Sequence, residues 1–169
     1  MGEGLALLAE APFITLAAIN GHALGGGAEI AFSCDWRVME KSAKMGFLQV
    51  DMALTTGWGG GARLLAEAGY ARALDILSSG TAYPAEVWQA WGLVQRVVGA
   101  GKAYEEALAW AQTLAAKDLA TLHALKAMLK AGRAPLAPVL EAERALFPDL
   151  WAAPAHAQAV QAFLERKNN

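Results

Sequence analysis

The stretch that most limits the fold runs from residue 13 to residue 29. Its first part, F-I-T-L-A-A-I (13–19), is a short continuous apolar run with β-branched members. That is the pattern of a strand buried on both faces. Asn20-Gly21 ends it, Gly25, Gly26 and Gly27 follow, and A-E-I-A-F-S (28–33) then reads as a short buried helix. A chain that passes from a buried strand through glycines into a helix belongs to the α/β class.

The rest of the front half continues this mixture. W-R-V-M (36–39) and M-G-F-L (45–48) are further strand segments, and T-T-G-W-G-G-G-A (55–62) is a glycine-rich turn opening a helix that stops at Gly69. Another helix spans 71–77 and meets the breaker S-S-G. Pro84 suits a first helical position, with P-A-E-V-W-Q-A-W running to Gly92 and the strand L-V-Q-R-V-V behind it. From Tyr104 onward only helices are expected: one over 104–114, one capped by Asp118 and stopped at Gly132, one from Val139 preceded by Pro135 and Pro138, and a last one over 155–166. Residues 1–100 thus read as a mixed core and 101–169 as a helical region.

Composition narrows the partners. The 169 residues are 56% hydrophobic, enough for a sizeable core, and the net charge is −2 without a basic cluster, which argues against nucleic acid. No apolar run is long enough to cross a bilayer, since Asn20, Gly21 and His22 interrupt the longest. The start, M-G-E-G-L-A, lacks the basic residues of a signal peptide, and the single Cys34 excludes an internal disulfide. A cytoplasmic protein is expected. His22, His123 and His156 are scattered and no Cys-x-x-Cys or His-Glu-x-x-His pattern exists, so no metal site is expected. Cys34 reads as a small core residue, and Trp88, Trp91 and Trp110 as packing residues on helices.

The glycines carry the chemistry. A glycine where a helix begins lets the backbone approach a ligand closely, and the first helical amides are unpaired and carry the positive end of the dipole. Strand, glycines and helix start make a receptor for an oxygen bearing negative charge. Glu29 lies one helical turn after Gly26, which places an acid beside that amide. Such a pair can form or quench an enolate. The plainer reading stands beside it: the glycines let a helix cross a sheet closely, and Glu29 complements the helix dipole. The segment is neither G-x-G-x-x-G nor a P-loop.

N-G-H-A-L-G-G-G-A-E-I-A-F-S-C-D (20–35) resembles the signature of the enoyl-CoA hydratase/isomerase (crotonase) superfamily. G-W-G-G-G-A-R-L (57–64) is similar to the family's second glycine turn, A-E-V-W-Q-A-W-G-L-V (85–94) to its helix ending in Gly-Leu-Val, and A-F-L-E-R-K (162–167) to its C-terminal helix. The resemblance implies a crotonase-like α/β fold, a spiral of ββα units incomplete at the N-terminus, followed by helices that pack trimers or hexamers. It implies an acyl-CoA thioester as substrate and no cofactor beyond the coenzyme A of that substrate. Gly26 takes the place of one oxyanion N–H and Glu29 that of a family acid/base. Ala23 and Leu24 fall beside the substrate, and Phe147 and Arg166 in the coenzyme A region, Arg166 suiting a phosphate. An aromatic in a helix interface and a solvated terminal charge are the plainer readings of these two. Trp58 stands in the glycine turn and could wall the acyl chain.

Two departures from the family pattern bear on activity. The second family carboxylate falls at Gln49, which can orient a water but cannot exchange a proton near neutral pH; the nearest acid is Asp51. The family's opening third, which supplies the other oxyanion donor, has no counterpart before residue 13, and apolar surface left without it implies association. Three functions follow as expectations: hydration or isomerisation of enoyl-CoA, decarboxylation of methylmalonyl- or ethylmalonyl-type CoA esters, or a catalytically inactive paralogue with an assembly role. For the second, loss of CO₂ yields the enolate without a base, and Gln49 removes repulsion against the substrate's own carboxylate. F-P-D-L-W-A-A-P-A (147–155) also looks like the tail of such decarboxylases.

Overall fold

The computed structural model describes residues 1–132 and 137–167; Pro135 lies outside the described residues. In chain order its strands are β1 (Leu16–Ile19), β2 (Ala23–Leu24), β3 (Trp36–Glu40), β4 (Lys44–Gly46), β5 (Tyr83–Pro84) and β6 (Arg96–Val98). Its helices are α1 (Gly2–Glu10), α2 (Gly26–Ala31), α3 (Gly60–Ala68), α4 (Tyr70–Ser79), α5 (Ala85–Ala90), α6 (Ala103–Ala115), α7 (Leu119–Ala131), α8 (Ala137–Ala152) and α9 (Pro154–Lys167). A short 3-10 turn, Gln49–Met52, lies between β4 and α3.

Strands alternate between two sheets. One has the order β1-β3-β6, all parallel, with Ala18 opposite Val38 and Val38 opposite Arg96. The other has the order β2-β4-β5, with β2 parallel and β5 antiparallel to β4. Each passage of β1-β2-α2 or β3-β4-α3 adds one strand to each sheet and then a helix, which is how a chain winds as a spiral of ββα units.

The central strand β3 is buried on both faces. Met39 joins the main core with Phe32, Met45, Phe47, Leu64, Ile76 and Trp88, while its neighbour Val38 packs under Ala103 and Ala107 of α6. Alternation along a strand sends consecutive side chains to opposite faces, so β3 needs cover on each side. The buried Trp88 indole donates to the Met45 carbonyl at 2.9 Å, which satisfies the one polar atom it carries inside. Arg37, fully buried on the same strand, donates to the carbonyls of Leu93, Ala31 and Cys34 and to Glu67 of α3, with its guanidinium over the Phe32 ring.

Several expectations shift. The first strand is shorter than 13–19 and is not buried on both faces: Phe13 is 56% exposed, and in β1 only Ile19 is fully buried. The reason is its place at the edge of its sheet, where, among the described residues, β3 is the one strand beside it. The helix expected over 28–33 begins earlier, at Gly26, because Gly25 takes φ 53°, ψ −112° and turns the chain sharply, its amide bonded to the Gly46 carbonyl at 2.8 Å. The strand over 93–98 shortens to β6. Pro84 caps α5 from outside and pairs in β5. Cys34 is half-buried. The helix α1 was not anticipated, and α8 begins at Ala137 with Pro138 in its first turn.

The C-terminal helices are tied back onto the core. Asp118 caps α7 by accepting from the Thr121 amide at 2.7 Å, as its position suggested. Lys126 of α7 donates to Asp35 at 2.6 Å and to the Phe13 carbonyl at 2.7 Å. His156 of α9 shares a hydrogen bond of 2.7 Å with the Met52 carbonyl on the 3-10 turn and lies against Trp151, which in turn lies against Phe147. The glycine turn is therefore reached from α8, through Phe147 on Gly57, and the 3-10 turn from α9.

Candidate functional site

Glu29 leaves α2 on its buried side and is only 3% exposed. Its carboxylate does not face bulk solvent; it enters the turn 57–60. Oε2 accepts from the amides of Trp58 at 2.8 Å and Gly60 at 3.0 Å, and Oε1 accepts from Gln49 Nε2 at 3.0 Å, with the Gly57 amide at 3.5 Å. The turn tolerates this approach because Gly60 carries no side chain: a Cβ there would lie 2.4 Å from Glu29 Cγ. Gly59 adopts φ 85°, a left-handed conformation that favours glycine.

Trp58 joins the two glycine turns. While its amide donates to Glu29, its indole lies on Gly26, where a Cβ would come 2.4 Å from Cζ3 and 2.8 Å from Cη2. Gly26 opens α2, so its amide has no carbonyl one helical turn earlier within the helix to receive it. Gly26 is half-buried, not sealed inside packed protein. A helix-opening amide, an aromatic face and a buried carboxylate thus lie together where the sequence placed an oxyanion donor and an acid.

Gln49 occupies the position of the second acid and meets Glu29 through its amide nitrogen. Its carbonyl oxygen is buried without a hydrogen-bond partner. Asp51 does not compensate. Its carboxylate sits beside Gly80 at the end of α4, where a Cβ on that glycine would come 2.7 Å from Oδ1. Phe147 lies on Gly57, closely enough that a Cβ there would be 2.6 Å from its ring. Ala23 lies behind Gly27 in β2, Leu24 is exposed, and Arg166 is exposed on α9 with its Nε donating to the Ala162 carbonyl of the same helix. The structure therefore gathers Gly26, Glu29, Gln49, Trp58 and Phe147, and leaves Leu24 and Arg166 outside that cluster.

Residues that the sequence did not single out complete the surroundings. Glu143 of α8 is 7% exposed and accepts from the Thr56 hydroxyl and, at 3.4 Å, from the Gly61 amide. Burial pushes its carboxyl up, and the nearby Glu29 charge adds to this, against the bonds from Thr56 and Gly61 and the charge of Arg63. Arg63 donates to the Trp58 carbonyl at 3.0 Å; burial lowers its guanidinium, opposed by Glu143 and Glu29. Glu143 precedes Phe147 by four residues, one turn of the same helix face, and that spacing was the available signal. Among the described residues no cluster of His, Cys, Asp or Glu is placed to hold a metal, and no helix is long and apolar enough to cross a membrane.

The enoyl-CoA hydratase/isomerase family model matches residues 1–169, the whole chain. The chain belongs to the enoyl-CoA hydratase/isomerase family. Among curated proteins it is 35% identical over 165 residues to an ethylmalonyl-CoA decarboxylase of Danio rerio, covering 95% of this chain and 55% of that protein. It is also 35% identical over 153 residues to a probable enoyl-CoA hydratase of Rhizobium meliloti, covering 90% of this chain and 60% of that protein. The chain thus spans a little over half the length of these relatives. Among solved structures, a carnitinyl-CoA hydratase from Mycobacterium avium superposes with a TM-score of 0.84 at 29% identity, over 92% of this chain and 61% of that one. An enoyl-CoA hydratase from Mycobacterium avium subsp. paratuberculosis shares the fold with a TM-score of 0.87 at 24% identity, over 93% and 66%. The crotonase-like α/β fold expected from the two glycine motifs is the fold observed.

Proposed function

We propose that this chain carries the acid and one oxyanion donor of an acyl-CoA enzyme that acts through a thioester enolate, in hydration or isomerisation of enoyl-CoA. The observation that carries the reading is the buried Glu29 carboxylate, fixed by the turn 57–60, with Trp58 linking it to Gly26. The thioester oxygen accepts from the Gly26 amide as negative charge builds on it, and Glu29 moves the proton at the adjacent carbon. Gln49 donates to Glu29, which leaves its unpartnered carbonyl oxygen as an acceptor for a water or a substrate hydroxyl.

A second reading, decarboxylation of an ethylmalonyl- or methylmalonyl-type CoA ester, is favoured by one specific feature. An amide at position 49 brings no second negative charge toward a substrate that already bears a carboxylate, and relatives from Danio rerio and Gallus gallus are named ethylmalonyl-CoA decarboxylases. Purified protein assayed on crotonyl-CoA and on ethylmalonyl-CoA separates the readings. Hydration of the former supports the first, CO₂ release from the latter the second. A folded protein silent on both sinks the enzyme reading and leaves an assembly role.

We also infer self-association into a trimer or hexamer. Leu119, Leu125, Met128 and Leu129 of α7 are exposed, and a cavity of about 380 Å³ between α6, α7 and the start of β3 has Leu114, Leu122, Leu125 and Leu129 in its lining. An apolar face of this kind marks an interaction site. Sedimentation of the purified protein is expected to give a mass several times 17.8 kDa, and a monomer at micromolar concentration contradicts it.

A further inference from the structure

The turn 56–61 is gripped from two sides. Glu29 of α2 takes the amides of Trp58 and Gly60 at 2.8 and 3.0 Å, and Glu143 of α8 takes the Thr56 hydroxyl and the Gly61 amide. Gly61 also donates to the Thr56 hydroxyl oxygen at 3.2 Å, so Thr56, Gly61 and Glu143 form one closed group. Neither grip is possible with a side chain at 60 or 61: a Cβ on Gly61 would sit 2.6 Å from Thr56 Oγ1, as one on Gly60 would meet Glu29. Adjacent amides therefore point to carboxylates carried by elements more than a hundred residues apart in the chain.

We propose that Glu143 is a positioning residue for Glu29: it locks both ends of the turn 56–61, and the locked turn presents the Trp58 and Gly60 amides that hold the Glu29 carboxylate. This rests on the acyl-CoA reading for its catalytic consequence, though not for the structural one. Glu143 touches no reacting atom. It acts through Thr56 and Gly61, whose fixed places set the amides between them. Its second oxygen, Oε2, is buried without a partner, so Oε1 alone makes both bonds. The lock uses one acceptor oxygen, and a glutamine can supply the same oxygen to Thr56 and Gly61.

The test compares Glu143→Gln, Glu143→Leu and Thr56→Val in the full chain. Amide hydrogen exchange at Trp58, Gly60 and Gly61 is followed together with kcat and KM on whichever acyl-CoA substrate the wild-type protein turns over. Glu143→Leu and Thr56→Val are expected to speed exchange at those amides by about threefold to tenfold, the loss of a typical hydrogen bond. They are expected to lower kcat by up to about 10²-fold with KM little changed, since the acid loses its alignment. Glu143→Gln is expected to retain both. Unchanged exchange at Trp58 and Gly60 in Glu143→Leu and Thr56→Val overturns the proposal, and so does a Glu143→Gln variant as impaired as Glu143→Leu. Should the wild-type protein turn over no acyl-CoA ester, the acyl-CoA reading fails while the exchange pattern still decides the lock.

Discussion

Glu29→Gln is expected to lower kcat by about 10² to 10⁴, the usual contribution of one positioned acid or base. The geometry adds a second reason for a large effect. The carboxylate is surrounded by donors: the amides of Trp58 and Gly60 on one oxygen, and the Gln49 amide nitrogen on the other. A glutamine at 29 has one oxygen for the turn, so its amide nitrogen faces Gln49, whose own amide must turn over to accept from it. Glu29→Asp keeps the charge and shortens the reach, so it is expected to lose activity while disturbing the turn less. Rates of both variants on crotonyl-CoA and ethylmalonyl-CoA check this. A Glu29→Gln protein as fast as wild type on a substrate that the wild type turns over refutes the role given to this residue.

Arg37→Met is expected to cost about 3 to 5 kcal/mol, the range seen when one partner of a buried ion pair is removed. Arg37 is 0% exposed and its guanidinium serves the carbonyls of Leu93, Ala31 and Cys34 as well as Glu67. Those carbonyls belong to the end of α2 and the segment entering β6, so their loss of a donor loosens the joint between the spiral's windings. A domain holds only about 5 to 15 kcal/mol in all, and such a change takes much of it. Arg37→Met/Glu67→Gln is expected to recover part of the loss by removing the half-buried charge left behind. Urea denaturation of both variants measures it; a midpoint near that of wild type for Arg37→Met contradicts the account.

How far the sequence reached varies by element. Helices with a cap and a stop were legible almost to the residue: α3 ends at Ala68, just before Gly69, and α7 runs between Asp118 and Gly132. Their limits are set by local backbone chemistry, which travels with the residues themselves. The burial of the strand over 13–19 was not legible because its neighbours decide it, and among the described residues β1 lies at the edge of its sheet. The direction taken by Asp51 was likewise open, since two residues beyond Gln49 a 3-10 turn carries it toward Gly80. Glu143 was passed over because an acid on an amphipathic helix ordinarily faces water.

By itself the sequence determined the α/β class of the fold and the two glycine turns, because apolar periodicity, caps and glycines act over a few residues; the spiral of ββα units was implied only by the family resemblance of those motifs. It also placed Gly26 and Glu29 one helical turn apart. The tertiary structure alone decided what Glu29 touches, since its partners at 49, 58 and 60 come from other elements and meet it only when the sheets stack. It alone brought Trp58 over Gly26 and Glu143 under Thr56, for a side chain's contacts across the core depend on packing that no local pattern encodes.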